Sequence, residues 1–146
     1  MLKNIPSILP PELLKILMEM GHGNEIVIGD GNFPAADYAQ RLVRCDGHGV
    51  PEIMEAILKL MPLDTYVDAP LMIMQLTPAD RQKGDPEIWK TYKEIAAKYE
   101  PDNCNFQQIE RFEFYERAKK AYCVVATGEK AVYANIILKK GVVIED

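Results

Sequence analysis

The side chain best suited to proton transfer in this sequence is His22, which lies between two glycines in a G-H-G segment. Imidazole is the side chain whose charge ordinarily changes between pH 5 and 8. The flanking glycines leave the ring uncrowded and let the backbone come close to a bound molecule. The segment therefore favours acid–base chemistry at His22, although a lone loop histidine also commonly serves as a capping or packing residue. The other histidine, His48, precedes a proline-initiated helix and is expected to be a loop residue.

A second group of polar residues falls near the ends of predicted strands and helices. These residues are Asp30, Arg111, Tyr115, Tyr133 and Asn135. In open α/β sheets, ligands bind beyond the carboxyl ends of the strands. Together with His22, the group predicts a polar cup of donors and acceptors, which suits a molecule rich in hydroxyl groups such as a sugar.

Each of these polar residues also has a purely structural interpretation. Asp30, between two glycines, is equally typical of an Asx turn. Arg111 lies among glutamates and fits a surface ion-pair face, and Tyr115 fits the core. The sequence lacks G-x-x-x-x-G-K-[ST], H-E-x-x-H, G-x-S-x-G and a G-x-G-x-x-G that follows a strand. These absences leave cofactor-free acid–base chemistry or plain binding.

The elements that must position these residues follow from hydrophobic periodicity and from proline and glycine signals. Helices are predicted at 11–20, 51–61, 86–99 and 112–120. Buried strands are predicted at 26–28, 71–74, 122–126 and 133–138. Strands that alternate with helices indicate one layered α/β domain over residues 1–146. The last two strands are close enough along the chain to pair as an antiparallel member of a mixed sheet.

Composition narrows the partners and the compartment. The formal net charge is −5 and the basic runs are short, which disfavours nucleic acid. No stretch reaches the 18 or more apolar residues of a membrane span, and prolines interrupt the N-terminal segment where a secretory signal would be. The three cysteines are widely spaced without a C-x-x-C pair. We therefore expect a cytoplasmic protein without disulfides, bound metal or membrane association.

Four segments in collinear order carry a resemblance to a known family. They read PELLKILMEMGHGNEIVIGDGNFPA, RCDGHGVPEIMEAILKLMPLDTY, ERFEFYERAKKA and TGEKAVYANIILKKGV. They resemble the L-fucose mutarotases, which are related to the D-ribose pyranases. The resemblance implies an isomerase that interconverts the α and β anomers of L-fucose without metal or organic cofactor. It also implies a three-layer α/β/α domain and a homo-oligomer, such as a decameric ring, with pockets at or near subunit contacts.

The resemblance further assigns roles to individual residues. His22 matches the proton donor, and Asp64 in L-P-L-D-T-Y matches a second catalytic residue. The residues that it assigns to sugar binding are Asp30, Met74, Arg111, Tyr115, Tyr133 and Asn135.

Two departures from the family pattern keep other functions open. The chain has Tyr133-Ala134-Asn135 where fucose mutarotases usually have Y-G-N, and this version is closer to the ribose pyranases. It also has Asn24 where the family usually has aspartate. The alternatives are a pyranase acting on ribose, a non-catalytic monosaccharide-binding module, and a structural oligomer whose polar cluster seals subunit contacts.

Overall fold

A computed structural model describes all 146 residues, in which one six-stranded sheet lies between two layers of helices. The helices are α1 (Pro11–Glu19), α2 (Ala35–Tyr38), α3 (Val50–Leu58), α4 (Pro78–Arg81), α5 (Glu87–Tyr99) and α6 (Arg111–Lys120). The strands are β1 (Glu25–Gly29), β2 (Leu42–Cys45), β3 (Leu71–Met74), β4 (Phe106–Ile109), β5 (Cys123–Thr127) and β6 (Ile136–Lys139). Every predicted element is present, β3 with the predicted bounds and the others with shifted ends. The elements α2, β2, α4 and β4 were not predicted, because four residues carry too little periodicity to be recognised.

The sheet has the strand order β2-β5-β1-β6-β3-β4, and β6 alone runs against the other five strands. The expectation of a mixed, mostly parallel sheet is confirmed. The predicted pairing of the last two strands is wrong, because β5 pairs with β1 and β2, whereas β6 pairs with β1 and β3. Both strands are almost wholly buried, so each takes a central place on one side of β1 instead of forming a hairpin.

The two faces of the sheet carry separate apolar cores. Successive strand residues point to opposite faces, so Ile26 and Ile28 pack toward α1, α3 and α5, whereas Val27 packs toward α2 and α6. The three-layer α/β/α architecture is therefore confirmed. No helix is both long enough and apolar enough to span a bilayer.

The segment before β6 is a loop where the sequence predicts the start of a strand. Tyr133 has a φ of +56°, in the left-handed region that costs a non-glycine residue about 1–2 kcal/mol. The indole N–H of Trp89 donates to the carbonyl of Tyr133 (2.8 Å), and the hydroxyl of Tyr92 donates to the carbonyl of Ala134 (2.6 Å). These two side chains of α5 donate to carbonyl groups that would otherwise accept hydrogen bonds from a neighbouring strand. The loop is therefore held in place by α5.

We call the edge where the five parallel strands end the carboxyl edge, and the opposite edge the amino edge. Because β6 runs in the reverse direction, it begins at the carboxyl edge and ends at the amino edge. The two edges carry different parts of the predicted site.

Candidate active site

A cavity of about 330 Å³ opens at the carboxyl edge, and we call it the carboxyl-edge pocket. This volume lies within the roughly 300–1,000 Å³ of small-molecule sites. All six residues assigned to sugar binding line it, namely Asp30, Met74, Arg111, Tyr115, Tyr133 and Asn135. They come from the ends of β1 and β3, from α6, and from the loop before β6. The topology thus gathers them where the strand-end rule places ligands.

Asp30 and Asn135 form the buried floor of the pocket. Each is 7% exposed. The amide N–H of Asp30 donates to Oδ1 of Asn135 (2.8 Å), and the amide N–H of Asn32 donates to Oδ1 of Asp30 (2.9 Å). Burial raises the pKa of the Asp30 carboxyl above its ordinary value, although backbone N–H donors oppose that shift. Asp30 is therefore both the Asx-turn former and a pocket residue, and the two interpretations do not compete.

Arg111 and Tyr115 form a cationic and aromatic wall. They lie one helical turn apart on α6, and Nε of Arg111 donates to the hydroxyl of Tyr115 (3.0 Å). The Tyr115 ring packs against Phe33 and Tyr38, with centroids 6.0 and 5.2 Å apart. The guanidinium is thus directed to a phenol in the pocket wall, and the expected surface ion pair with the neighbouring glutamates does not describe it.

Tyr133 contacts two pocket-side residues, Thr77 and Asp80, that were not predicted from the sequence. Its hydroxyl donates to Oδ2 of Asp80 (2.7 Å), and the amide N–H of Thr77 lies 3.4 Å from the same hydroxyl oxygen. The segment T-P-A-D, from Thr77 to Asp80, has the spacing of a helix capping pattern. That signal could have located α4 and its carboxylate from the sequence.

His22 and Asp64 do not lie in the carboxyl-edge pocket. His22 precedes β1 and Asp30 follows it, so the five residues of the strand separate them by about 16 Å. Within one chain, the structure therefore does not bring His22 and Asp30 together in the expected polar cup. The sequence carried the signal for this separation, since the strand predicted at 26–28 lies between the two residues and the two ends of one strand lie at opposite edges of a sheet.

At the amino edge, His22 and Asp64 form a hydrogen-bonded pair, which we call the amino-edge pair. Nε2 of His22 lies 3.0 Å from Oδ1 of Asp64, and the amide N–H of Tyr66 donates to the same oxygen (3.0 Å). Asp64 is 2% exposed, whereas the His22 side chain is 46% exposed. Burial acts to raise the pKa of Asp64, but the hydrogen bonds from Tyr66 and His22 and nearby positive charge together outweigh it and lower the pKa below its ordinary value. An ionised carboxylate only accepts, so Nε2 carries a hydrogen and Nδ1 remains available for chemistry.

The glycine loop that presents His22 is anchored at both ends. Gly23 has a φ of +82°, which a residue with a side chain rarely adopts. Its amide N–H donates to the carbonyl of Lys140 (2.8 Å), and the amide N–H of Gly21 donates to Oδ1 of Asn24 (2.7 Å). Asn24 thus supplies the side-chain oxygen that an aspartate at this position would supply, without its charge.

Other polar clusters offer less. The structure contains no group of three or more His, Cys, Asp or Glu side chains that could hold a metal ion. A second cavity of about 360 Å³ shares Asp30, but its Arg44 is already paired with Asp46 (2.7 Å). His48 lies in the loop before α3, as predicted, with Nδ1 3.2 Å from Oε1 of Glu52.

A three-layer α/β domain with a polar cavity at the carboxyl edge defines a small-molecule-binding protein, and the amino-edge pair adds an acid–base group. Residues 3–143 match the RbsD / FucU transport protein family, and the chain belongs to that family.

Individual relatives narrow this further. The fucose mutarotase of Homo sapiens is 51% identical over 147 residues, covering 97% of this chain and 94% of that protein. The fucose mutarotase from Streptococcus pneumoniae, solved in complex with L-fucose, is 51% identical with a TM-score of 0.90, over 98% of this chain and 100% of that one. Bacillus subtilis RbsD, solved in complex with D-ribose, is 22% identical with a TM-score of 0.72, covering 99% of this chain and 100% of that one, and it shares the fold.

Proposed function

We propose that the protein is an L-fucose mutarotase, an isomerase that interconverts the α and β anomers of L-fucopyranose through ring opening, without a cofactor. The observation that carries the proposal is the convergence of six candidate sugar-binding residues on one cavity. The chain is also 51% identical to proteins named fucose mutarotases. The ribose pyranase alternative is supported by Tyr133-Ala134-Asn135, but the RbsD relative is only 22% identical.

The reaction needs two proton movements. The anomeric hydroxyl loses a proton and the ring oxygen gains one as the bond between the ring oxygen and C1 breaks. The aldehyde then rotates, and closure on its other face reverses both steps, so no net proton is consumed. We assign both movements to the imidazole of His22, whose Nδ1 takes the first proton and returns it to the ring oxygen. A positioned acid or base contributes about 10²–10⁴-fold.

Asp64 acts in this proposal by holding the imidazole. Its carboxylate is buried, and the oxygen Oδ1 accepts from both His22 and Tyr66. The expectation that Asp64 itself takes the anomeric proton is therefore replaced by one in which it fixes the tautomer and orientation of His22. In the carboxyl-edge pocket, Asp30, Arg111 and Asn135 would hold sugar hydroxyls, and Asn135 can both donate and accept.

The proposal requires two subunits at each site. About 16 Å of β1 separates the amino-edge pair from the pocket of the same chain, so the imidazole of one subunit would serve the pocket of the next. Such a head-to-tail contact is heterologous and closes into a ring when its rotation permits, in keeping with the expected homo-oligomer and decameric ring. Large apolar side chains are exposed near both edges, namely Tyr66 on one side and Phe112 and Val132 on the other. They would be covered by this contact.

We place the protein in the cytoplasm. Cys45, Cys104 and Cys123 form no disulfide in the structure. Free thiols of this kind are typical of a reducing compartment.

The function is tested by NMR exchange spectroscopy on L-fucose and D-ribose side by side. We expect faster exchange between the fucose anomers than in buffer, and a smaller effect on the ring forms of ribose. Preferential acceleration of ribose would favour the pyranase, and tight binding without acceleration would favour a binding module. No binding at all would leave the structural oligomer.

The two-subunit site is tested by mixing two impaired variants and measuring exchange at an L-fucose concentration below the wild-type KM. His22→Ala removes the imidazole and Asn135→Ala damages the pocket. After unfolding and joint refolding, about a quarter of head-to-tail contacts would combine an intact imidazole with an intact pocket. We therefore expect about a quarter of wild-type activity from the mixture, whereas an unmixed blend of the two proteins keeps only the low activity of its two variants. Equal activity of the two samples would contradict the shared site.

A further inference from the structure

Asp80 lies next to the carboxyl-edge pocket but is not among the residues assigned to the site. It belongs to α4 and accepts three side-chain hydrogen bonds, from the Tyr133 hydroxyl (2.7 Å), the Thr77 hydroxyl (3.0 Å) and Nζ of Lys83 (2.9 Å). These bonds, led by Lys83, lower the pKa of Asp80 to about 2. The carboxylate is therefore ionised at any working pH and can only accept.

We propose that Asp80 is a positioning residue that turns the hydroxyl hydrogen of Tyr133 away from the bound molecule, so that the phenol binds the sugar only as a hydrogen-bond acceptor. Asp80 does not line the pocket, whereas Tyr133 does. The hydrogen of the phenol is thus committed to a group outside the cavity. This inference rests on the proposed function, because it assigns Tyr133 a role toward a sugar hydroxyl.

The hydroxyl of Tyr133 is positioned separately from its backbone. Trp89 and Tyr92 hold the carbonyls of Tyr133 and Ala134 from the core side. Both aromatic residues are 2% exposed or less, and neither contacts Asp80 through a hydrogen bond. Removal of the Asp80 carboxylate would therefore free the phenol hydrogen without releasing the strained loop.

The orientation has a consequence for substrate choice. A phenol that only accepts forms a hydrogen bond with a ligand hydroxyl that donates to it. It forms no hydrogen bond with a fluorine at the same position, because fluorine cannot donate. A phenol whose hydrogen is free can turn and donate to fluorine weakly or to another acceptor. Asp80 thus makes one sugar position dependent on a donating hydroxyl.

The test compares Asp80→Ala, Tyr133→Phe and the double variant in NMR exchange kinetics and in calorimetric binding of L-fucose. We expect each single variant to raise KM and Kd by about tenfold, the scale of a hydrogen bond to a charged or oriented group. We expect kcat to stay within about twofold, because the imidazole is untouched. In the double variant, the loss of Asp80 adds nothing, because no hydroxyl remains for it to orient.

The matched control is Lys83→Ala, which removes another partner of the same carboxylate and leaves its bond to Tyr133. We expect wild-type KM from this control. An unchanged KM in Asp80→Ala would overturn the inference, and so would effects that multiply in the double variant. If the wild-type protein fails to accelerate exchange, the proposed function fails, and the Kd values for L-fucose alone then decide the role of Asp80.

Fluorinated substrates give a second measurement. L-fucose carrying fluorine in place of the hydroxyl at C2, C3 or C4 is compared with L-fucose in wild type and Asp80→Ala. At one position, we expect the penalty for fluorine in Kd to be about tenfold in wild type and clearly smaller in the variant. Equal penalties in both proteins at all three positions would show that Asp80 does not set the direction of the hydrogen bond.

Discussion

The polar groups of the carboxyl-edge pocket and those of the amino-edge pair differ in exposure and in the direction of their pKa shifts. In the pocket, Asp30 and Asn135 are buried and fixed by hydrogen bonds within the chain. At the amino edge, Asp64 is equally buried, but the imidazole it holds is 46% exposed and faces outward. Burial raises the pKa of Asp30, whereas at Asp64 the same effect of burial is outweighed by hydrogen bonds and nearby positive charge acting together, which lower its pKa. The chain thus keeps the polar groups of the pocket fixed and displays the imidazole of His22 to the surroundings.

The largest expected effect separates chemistry at one edge from binding at the other. His22→Ala should reduce anomer exchange by about 10²–10⁴-fold, because a positioned acid or base is lost. Binding of L-fucose, measured by calorimetry, should change much less, since the six pocket residues remain. The control is His48→Gln, which alters the other histidine near α3. Wild-type exchange in His22→Ala would remove the amino-edge pair from the mechanism.

A smaller effect, on substrate binding more than on the chemical step, is expected when the pocket floor is changed. Asn135→Ala removes the oxygen that accepts the amide N–H of Asp30 and leaves that donor unpaired. We expect the free energy of unfolding to fall by about 1–3 kcal/mol in urea denaturation. KM should rise more than kcat falls, because the group binds substrate before and during the reaction alike. A pure loss of kcat with unchanged KM would mean that the two edges do not divide binding and chemistry as described.

The smallest effect is a difference in titration between the two carboxyls. In carbon-13 NMR, Asp30 should titrate above 3.8 and Asp64 below 3.8. A lowered folded pKa means that Asp64 contributes stability above its ordinary pKa, and this contribution is lost as the pH falls through its folded pKa. A raised folded pKa means that the contribution of Asp30 is present below its ordinary pKa and is lost as the pH rises through its folded pKa.

Thermal unfolding of two amide variants extends the same measurement. At neutral pH we expect Asp64→Asn to lower Tm, whereas Asp30→Asn should leave Tm unchanged or raise it. Shifts of both carboxyls in the same direction would contradict the contrast between the two edges.

Much of the fold could be predicted from the sequence because its long elements are strongly patterned. The apolar face of α3 and the run of apolar residues in β3 are recognised directly from hydrophobic periodicity and from prolines near their ends. The start of β6 could not be predicted, since Tyr133 has good strand propensity and the tertiary contacts from Trp89 and Tyr92 divert the backbone.

The candidate site was predicted residue by residue but not in its arrangement. Local motifs single out His22 and Asp30, and the strand predicted between them already places them at opposite edges of the sheet. Strand pairing over more than a hundred residues is not encoded in any single segment, so the structure is needed to show that Asn135 joins Asp30 at one edge and that Asp64 joins His22 at the other. Asp80 was not predicted for a different reason. Its helix α4 has only four residues, about one turn, which is too short to show hydrophobic periodicity.

The antiparallel strand β6 has a fixed length that both edges share. It begins one residue after Asn135 and ends one residue before Lys140, whose carbonyl anchors the loop of His22. Its first three residues are fully buried, so deletion of one residue would send every following side chain to the wrong face. A change of length at 130–132 would not carry this penalty in register, whereas Gly128 and Glu129 are held by hydrogen bonds to distant parts of the chain. Natural and engineered variants should therefore tolerate insertions at 130–132 and none between 135 and 140. That span fixes the distance between the carboxyl-edge pocket and the loop that carries His22.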